Sequence, residues 1–289
     1  MTETLTALVA GEFSEPWAGW LGENTRTDWK ILSWKDGDPF AEFAAAIVDA
    51  DAIVAGNIRG DWPAVPQLRL YHVPFTGFEW LGAAKLPGAC TVCNCSEHEI
   101  AMSEYVLGVM LERQIGFRND DRYFREHGWK DRPPGGGPAH GELYGKTIGI
   151  VGYGVIGREV AARAAAFGMT VVGISRTAPK SIAPLDWFDD MSALPRPLRE
   201  SDFVLMTLPL SDQTRGIFDA KCFASMKPDA LFINVGRGMT VDEEALYTAL
   251  AERRIGGAVI DVWFKYPSRK DPLPAPSRFR FQDLDNVLM

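Results

Sequence analysis

Six consecutive residues, Gly152-Tyr153-Gly154-Val155-Ile156-Gly157, have the glycine spacing with which a backbone binds the diphosphate of a dinucleotide. The apolar run Thr147–Val151 predicts a strand that leads into this motif, and residues 158–167 predict a helix after it. In that context Gly152 makes the tight turn, Gly154 lets the diphosphate approach the backbone, and Gly157 lets the helix pack closely on the strand. The helix also directs its N-terminal amide groups at the phosphates. We therefore predict a Rossmann-type cofactor site that includes Val155 and Ile156.

The residues after the next predicted strand indicate which dinucleotide is bound. An NAD site usually has Asp or Glu there, about 20 residues on, to bind the ribose 2′-hydroxyl. This chain instead has Ser175-Arg176-Thr177. An arginine can bind a 2′-phosphate through two hydrogen bonds and can stack on adenine. We predict a preference for NADP(H) over NAD(H); the alternative is that Arg176 is an ordinary surface residue.

The cysteines at positions 90, 93 and 95, with His98 close by, raise the question of a metal site. No second pair of ligands follows at the spacing expected for zinc, and a strand would direct Cys90 and Cys93 to opposite faces. The run Thr91-Val92-Cys93 is typical of a buried strand, in which a free cysteine packs as a small hydrophobic residue. We predict no metal site.

Composition argues against several classes of partner. The chain has 289 residues, 46% of them hydrophobic, and a formal net charge of −8. Nucleic acid is not an expected partner, because binding its phosphates needs clustered Lys and Arg. The N-terminus lacks the basic start of a signal peptide, and no apolar run approaches the ~20 residues that span a bilayer. We expect a cytoplasmic protein with no membrane association.

Hydrophobic periodicity predicts an α/β protein of two domains. Residues 1–100 alternate short strands with helical stretches such as 39–49, which predicts a small parallel sheet. Residues 99–127 predict one connecting helix or two helices, and 132–138, rich in Pro and Gly, predict a loop. Six further strands indicate a doubly wound dinucleotide fold. The predicted strands are 5–10, 31–34, 52–55, 68–73 and 91–94, followed by 147–151, 170–174, 203–207, 231–235, 258–262 and 286–289.

Across most of residues 90–289 the chain resembles the D-isomer-specific 2-hydroxyacid dehydrogenases, which include glyoxylate and hydroxypyruvate reductases. The N-terminal part matches more loosely. The motifs that carry the resemblance, besides the glycine motif, are Leu143-Tyr144-Gly145-Lys146-Thr147-Ile148-Gly149-Ile150, Ser201-Asp202, Leu208-Pro209-Leu210, Thr214-x-Gly216, Met226-Lys227, Ile233-Asn234-Val235-Gly236-Arg237-Gly238, Val241-Asp242-Glu243-x-Ala245-Leu246 and Gly257-Ala258-Val259-Ile260-Asp261-Val262.

The resemblance implies a domain plan. Residues 1–103 would form a smaller, flavodoxin-like substrate-binding domain, here without the C-terminal segment that returns to it in the family. Residues 104–289, including the interdomain helix, would form the NAD(P)-binding Rossmann domain. A homodimer is also implied, with residues 99–127 as the expected interface; the alternative is that the apolar residues of this region pack only within the chain.

The resemblance also implies roles for individual residues. Arg237 would be the catalytic arginine. It follows a predicted strand at the edge where open α/β sheets bind ligands, and a guanidinium there can bind a carboxylate and polarise a carbonyl oxygen. The alternative is a structural salt bridge to Asp242 or Glu243. The remaining implied contacts are Asp261 near the nicotinamide amide, Leu208, Pro209 and Thr214 near the adenosine, Val235 and Gly236 along the cofactor, and the backbone amides of Thr76 and Gly77 at the substrate carboxylate.

The sequence departs from the family pattern at two places. Tyr266 stands where the family has its catalytic Glu, and a phenol with a reference pKa of ~10 supplies no negative charge at neutral pH. Asp271 could substitute through space, or Tyr266 could simply pack beside Pro267. The family's proton-donating His follows a strand like Asn286-Val287-Leu288-Met289, where this chain stops. Truncation of the chain explains this most simply, and a degenerate dehydrogenase is the alternative.

These observations lead to two functional hypotheses. The first is an oxidoreductase that transfers a hydride between NADP(H), or NAD(H), and a small 2-hydroxy or 2-keto acid. The second is a dinucleotide-binding sensor or corepressor-like protein without catalysis, because a fold alone does not fix a function.

Overall fold

A computed structural model gives the structure of residues 4–78, 80–81, 86–130, 140–267 and 271–289. The loop predicted at 132–138 lies outside these described residues. The chain divides into two compact units, Met1–Glu97 and His98–Met289. The boundary predicted from the sequence, 103/104, lies inside a helix that belongs whole to the second unit.

The first unit contains one sheet of five parallel strands in the order β2-β1-β3-β4-β5. This is the strand order of flavodoxin, as predicted. Its elements are β1 (Leu5–Ala10), α1 (Ala18–Asn24), β2 (Trp29–Trp34), α2 (Phe40–Val48), β3 (Ala52–Ala55), β4 (Leu70–Val73) and β5 (Thr91–Asn94).

The strand predicted to be buried, β5, is exposed along its whole length. It is the last strand of the sheet, so that only one of its edges is paired. The sequence Thr91-Val92-Cys93 is typical of a buried strand, but these residues are exposed at the edge of the sheet. Cys95 Sγ lies 3.7 Å from His72 Nε2, and no group of three or more possible metal ligands occurs among the described residues.

The second unit contains a sheet of seven parallel strands in the order β12-β11-β10-β9-β6-β7-β8. Six had been predicted; the missed strand, β8, has only three residues and lies at the sheet edge. The strands are β6 (Thr147–Val151), β7 (Thr170–Ile174), β8 (Trp187–Asp189), β9 (Phe203–Met206), β10 (Leu231–Asn234), β11 (Gly257–Ile260) and β12 (Val287–Leu288).

The region predicted as one helix or two is two helices. Gly116 separates them with a left-handed φ of 74°, a conformation that glycine adopts without strain. No described helix is long and apolar enough to cross a membrane. The helices of this unit are α3 (Glu99–Ile115), α4 (Phe117–His127), α5 (Val155–Ala166), α6 (Pro195–Glu200), α7 (Ala220–Ser225) and α8 (Glu243–Ala251).

Hydrophobic clusters cover both faces of the seven-stranded sheet. One cluster contains Phe218, Phe223 and Phe232, and the other joins strand residues to Val106 and Met110 of α3. Because β9, β10 and β11 are buried along their whole length, their register is strongly fixed. The loops at their carboxyl ends are therefore held at one edge of the sheet.

Candidate cofactor and active site

Five loops meet at the carboxyl edge of the seven-stranded sheet, after β6, β7, β9, β10 and β11. All pairs of strands in this sheet are parallel, so these loops lie side by side. Together with the first turn of α5 they contain every cofactor-binding residue predicted from the sequence. This edge, at a switch point between neighbouring strands, is where open α/β sheets bind ligands.

The glycine motif has the geometry of a phosphate cradle. Gly152 has a φ of 106°, and a Cβ there would lie 2.7 Å from Thr207 Oγ1. A Cβ on Gly157 would lie 2.6 Å from the carbonyl oxygen of Gly152, which explains the close packing of α5 on the turn. Gly154 is exposed, and a Cβ there would meet no described atom within 4 Å. The backbone at the start of α5, at Val155, therefore stays open to an anionic ligand, and the residues fit a dinucleotide diphosphate.

A cavity of about 1270 Å³ opens beside this turn and brings together eight predicted cofactor residues. They are Gly152, Gly154, Ser175, Arg176, Thr177, Leu208, Pro209 and Thr214. Hydrogen bonds hold the two walls in shape: Ser175 Oγ donates to the Thr177 carbonyl over 2.8 Å, and Thr214 Oγ1 donates to the Pro209 carbonyl over 2.6 Å. The cavity has the size and lining expected of a nucleotide site.

Two cations of this cavity were missed by the sequence analysis, Arg158 and Lys180. Arg158 lies in the first turn of α5, and Lys180 lies in the loop after β7. The signal that could have found Lys180 is its position, since it follows Ser175-Arg176-Thr177 in the same loop.

Arg237 begins a 3-10 turn just after β10, and its backbone is fixed by two side chains. Asn234 Nδ2 and Thr240 Oγ1 donate to its carbonyl oxygen over 3.3 Å and 2.7 Å, and Asn234 Oδ1 accepts from the Gly236 amide over 3.0 Å. Both Asn234 and Thr240 are buried. The guanidinium of Arg237 donates to the Gly236 carbonyl over 2.9 Å. The arginine is thus held at the carboxyl edge of the sheet by a preformed turn.

The two carboxylates considered as structural partners of Arg237 have other roles. Asp242 caps α8 by accepting from the Ala245 amide over 2.8 Å. Glu243 accepts from Ser277 Oγ over 2.7 Å and pairs with Arg278. These contacts account for both carboxylates, and the catalytic role of Arg237 stays a prediction.

Asp261 follows β11, and its amide donates to the carbonyl oxygen of Asn234 over 3.1 Å. Loss of solvent around the carboxyl group raises the pKa of Asp261. Burial, and then the charge of Asp261, raise the pKa of Tyr105 on α3. Tyr105 therefore lies within the electrostatic range of Asp261, a relation that the sequence did not predict.

Tyr266, at the position of the family's Glu, turns back on its own loop. Its Oη accepts from the Trp263 amide over 2.9 Å, and 57% of the residue is exposed. Asp271, the possible substitute, forms an ion pair with Lys265 over 2.5 Å. Neither geometry assigns a catalytic role, and the role of Tyr266 stays a prediction.

Thr76 and Gly77 lie in the first unit, in the loop that follows β4. Asn94 Nδ2, at the end of β5, donates to the Thr76 carbonyl over 2.9 Å. This bond fixes the loop at the carboxyl edge of its own sheet. Two of the histidines, His127 and His140, contact backbone carbonyls of Tyr123 and Gly141.

Residues 107–289 match the NAD-binding domain of the D-isomer specific 2-hydroxyacid dehydrogenases. The chain belongs to this family. The D-3-phosphoglycerate dehydrogenase of Methanocaldococcus jannaschii is 34% identical over 209 residues, 71% of this chain and 37% of that protein. The glyoxylate reductase of Pyrococcus furiosus is 35% identical over 192 residues, 65% of this chain and 54% of that protein. This chain spans about half the length of the curated relatives it matches.

The fold of the whole described chain also matches this dehydrogenase family. A D-isomer specific 2-hydroxyacid dehydrogenase from Xanthobacter autotrophicus Py2, in complex with NADPH and MES, superposes with a TM-score of 0.77 at 26% identity. The match covers 99% of this chain and 87% of that one. The predicted family, the two-sheet α/β fold and the nicotinamide dinucleotide domain are thereby confirmed. The functions of the individual site residues stay predictions.

Proposed function

We propose that this 2-hydroxyacid dehydrogenase family protein is an NADP(H)-dependent oxidoreductase that acts mainly as a reductase of small 2-keto acids. The observation that carries the proposal is the position of Arg237. A preformed turn holds this arginine at the same sheet edge as the glycine cradle, which is where a 2-keto acid must meet a bound nicotinamide. The names of the relatives, a glyoxylate reductase among them, support the same class of substrate.

The roles follow from the family resemblance and from the chemistry of the groups at each position. Gly152, Gly154 and the start of α5 hold the diphosphate, Leu208, Pro209 and Thr214 hold the adenosine, and Val235, Gly236 and Asp261 position the nicotinamide. The nicotinamide supplies the hydride when it is bound. Arg237 binds the substrate carboxylate in a two-bond geometry and polarises the carbonyl oxygen. Thr76 and Gly77 are the predicted amide donors to the substrate carboxylate.

Reduction also requires a proton on the carbonyl oxygen. By the family resemblance that proton comes from a histidine within a Thr-Pro-His sequence, and none of the four histidines of this chain stands at that position in the pattern. Histidine is suited to the task because its pKa lies near neutrality.

A preference for NADP(H) is part of the proposal. The strand end that carries an acidic residue in NAD enzymes carries Ser175-Arg176-Thr177 here, and all three residues line the cavity. An arginine in that position favours a 2′-phosphate over a free 2′-hydroxyl.

One observation favours the second candidate, a dinucleotide-binding sensor without catalysis. Tyr266 replaces a carboxylate, and its phenol oxygen is engaged with the Trp263 amide. A sensor needs the cofactor cavity but no charged partner for a proton-donating histidine.

Turnover distinguishes the two candidates. The purified protein is mixed with NADPH and either glyoxylate or hydroxypyruvate, and the loss of absorbance at the NADPH band is followed. The reductase oxidises NADPH with at least one 2-keto acid. Tight NADPH binding with no turnover across a panel of 2-keto acids would instead assign the protein to the sensor class.

We also propose a homodimer, which the family resemblance implies. The region 99–127 forms α3 and α4, and α4 exposes Phe117 and Phe124. Exposed aromatic residues of this kind are enriched at protein interfaces. A cytoplasmic location stays a prediction.

A further inference from the structure

We propose that a second cation, Lys180, binds the 2′-phosphate of NADP(H) together with Arg176, and that Lys180 is a specificity-determining residue. Both residues lie in one segment, residues 175–186, which we name the β7–β8 loop. The inference rests on the proposed NADP(H) function and adds to it the residue that completes the phosphate site.

The β7–β8 loop is anchored at both ends. At its start the Ser175 amide donates to the Asp189 carbonyl over 3.3 Å, and Ser175 Oγ closes a turn onto Thr177. At its end Asp186 is bonded twice to Val171: its amide donates to the Val171 carbonyl and its carboxylate accepts from the Val171 amide, both over 2.7 Å. Leu185 is buried beside this anchor. The part between the anchors, which carries both cations, therefore has a fixed attachment to the sheet.

Both cations border the cavity and are available to a ligand. Arg176 and Lys180 are exposed and line the cavity next to Ser175 and Thr177. Within the described ranges neither side chain has an ion-pair or hydrogen-bond partner. In a chain of net charge −8, two cations without acidic partners beside one cavity leave a local positive field.

The carboxylate that borders the same cavity, Asp190, is occupied by its own turn. It accepts from the Ser192 amide over 2.7 Å and from Ser192 Oγ over 2.6 Å, and these bonds lower its pKa. Asp190 therefore does not neutralise either cation through a direct pair. A phosphate monoester carries a charge of about −1.5 to −2 at neutral pH, which matches two cations and not one.

Arg158 provides an internal comparison. It lines the same cavity but belongs to α5, where its amide bonds to the Gly154 carbonyl. Its place beside the glycine cradle corresponds to the part of the dinucleotide that NADPH and NADH share. Removal of Arg158 should therefore weaken the two cofactors by the same factor, whereas removal of Lys180 should weaken NADPH alone.

The test measures Kd for NADPH and NADH by nicotinamide fluorescence, with adenosine 2′,5′-bisphosphate and AMP as fragment probes. Lys180→Ala is expected to weaken NADPH and the bisphosphate about tenfold, the loss of one charge-assisted bond, and to leave NADH and AMP within about twofold. Lys180→Arg should retain most of the affinity. Lys221→Ala, which removes an exposed lysine of α7 outside the cavity, should change nothing.

The outcomes separate this inference from the proposed function. Wild-type protein that binds neither dinucleotide overturns both. Wild-type protein that prefers NADPH, with the same NADPH/NADH ratio in Lys180→Ala, overturns only the role of Lys180. A change of ratio in Lys180→Ala no larger than in Arg158→Ala indicates a general field effect of the cavity and also overturns it. Melting curves of each variant check that the fold is intact.

Discussion

Two buried side chains fix the backbone of Arg237, and this sets what a substitution there can show. Asn234 and Thr240 hold the Arg237 carbonyl whatever side chain position 237 carries. A change of that side chain therefore alters chemistry at the sheet edge and leaves the turn in place. The residue is suited to a test in which binding of the cofactor and catalysis are measured separately.

Arg237→Lys is expected to lower kcat/KM for 2-keto acids about 100-fold, because lysine keeps the charge but loses the planar two-bond geometry. The Kd for NADPH should stay within about twofold. The measurement is steady-state kinetics with glyoxylate and hydroxypyruvate, and Arg215→Lys, an exposed arginine of the same unit, serves as control. Unchanged kcat/KM in Arg237→Lys would contradict the proposed role.

Asp261 is a predicted cofactor contact and has a raised pKa. The predicted contact favours cofactor binding by the charged carboxylate, whereas the raised pKa means that the charged carboxylate destabilises the folded state. A raised pKa in the folded state means that the folded chain binds more protons than the unfolded chain. Stability is therefore lost as pH rises from the ordinary aspartate pKa, about 3.9, through the raised value. At neutral pH the charge of Asp261 therefore opposes folding, and the proposed cofactor contact uses the same charge.

Asp261→Asn should accordingly weaken NADPH about tenfold, as expected for loss of a hydrogen bond to a charged group, while stability at pH 7 stays equal to or above wild type. The stability gain should vanish at pH values below the ordinary aspartate pKa, where the wild-type carboxyl is protonated as well. Urea unfolding across this pH range measures the effect, with the exposed Asp212→Asn as control. A neutral-pH destabilisation by Asp261→Asn would refute this assignment.

At the scale of elements, the site depends on how closely neighbouring loops approach. A Cβ on Gly238, after β10, would lie 2.2 Å from the carbonyl oxygen of Trp263, after β11. A Cβ on Gly236 would lie 2.7 Å from the carbonyl oxygen of Leu208, after β9. Close backbone approaches thus link three consecutive loops. If one loop is displaced, we expect the neighbouring loop to shift as well.

Gly238→Ala is therefore expected to destabilise the fold by about 1–3 kcal/mol, the usual cost of overpacking, and to weaken NADPH because the turn bearing Arg237 must shift. Chemical denaturation and cofactor titration measure the two effects. Gly19→Ala in α1, where a Cβ meets no described atom within 4 Å, is the matched control. It should be neutral or stabilise by up to about 1 kcal/mol. Equal stabilities of the two variants would mean that the loops do not need this contact.

Strands with a strong apolar pattern were predictable from the sequence, whereas the shortest edge strand and the exposure of another edge strand were not. The strands β6 and β7 have their predicted bounds, because continuous apolar runs of this length fit a buried parallel strand. The edge strand β8 has three residues, too few for a periodic signal. Whether β5 is buried depends on its neighbours in space, and the sequence of Thr91–Asn94 gives no information about them.

The same distinction holds for the site. Motif spacing predicted roles for Gly152 and Arg176, and the family resemblance implied one for Pro209; all three line the cavity. Lys180 and Arg158 border the cavity only through the path of the chain between β7 and β8 and through the start of α5. Their place at the cavity therefore depends on the three-dimensional arrangement of these loops.

For the whole molecule, the chain contains two compact units with a sheet each, and the proposed dimer concerns the second unit. There α4 exposes Phe124, 46% accessible, which packs edge-on against Trp129, 75% accessible, with ring centroids 5.1 Å apart. Exposed aromatic side chains of this kind are frequent anchors of protein interfaces.

The native protein is expected to be a dimer in solution, and Phe124→Glu should convert it to a monomer because a charge cannot be buried there without a partner. Light scattering coupled to size-exclusion chromatography measures the mass. Phe13→Glu, which replaces an exposed phenylalanine of the first unit, should leave the mass unchanged. A monomeric wild-type protein, or a dimer that survives Phe124→Glu, would place the interface elsewhere or remove it.

The anchored β7–β8 loop has a consequence for how such a protein diversifies. Its ends are tied to β7 and β8 by bonds of Ser175 and Asp186, and the chemistry proposed at Arg237 resides on other loops. Under the proposal made for Lys180, the choice between NADP(H) and NAD(H) depends on this one short peptide. Exchange of the peptide between the same two anchors is expected to change the cofactor preference and to leave the loop that carries Arg237 as it is.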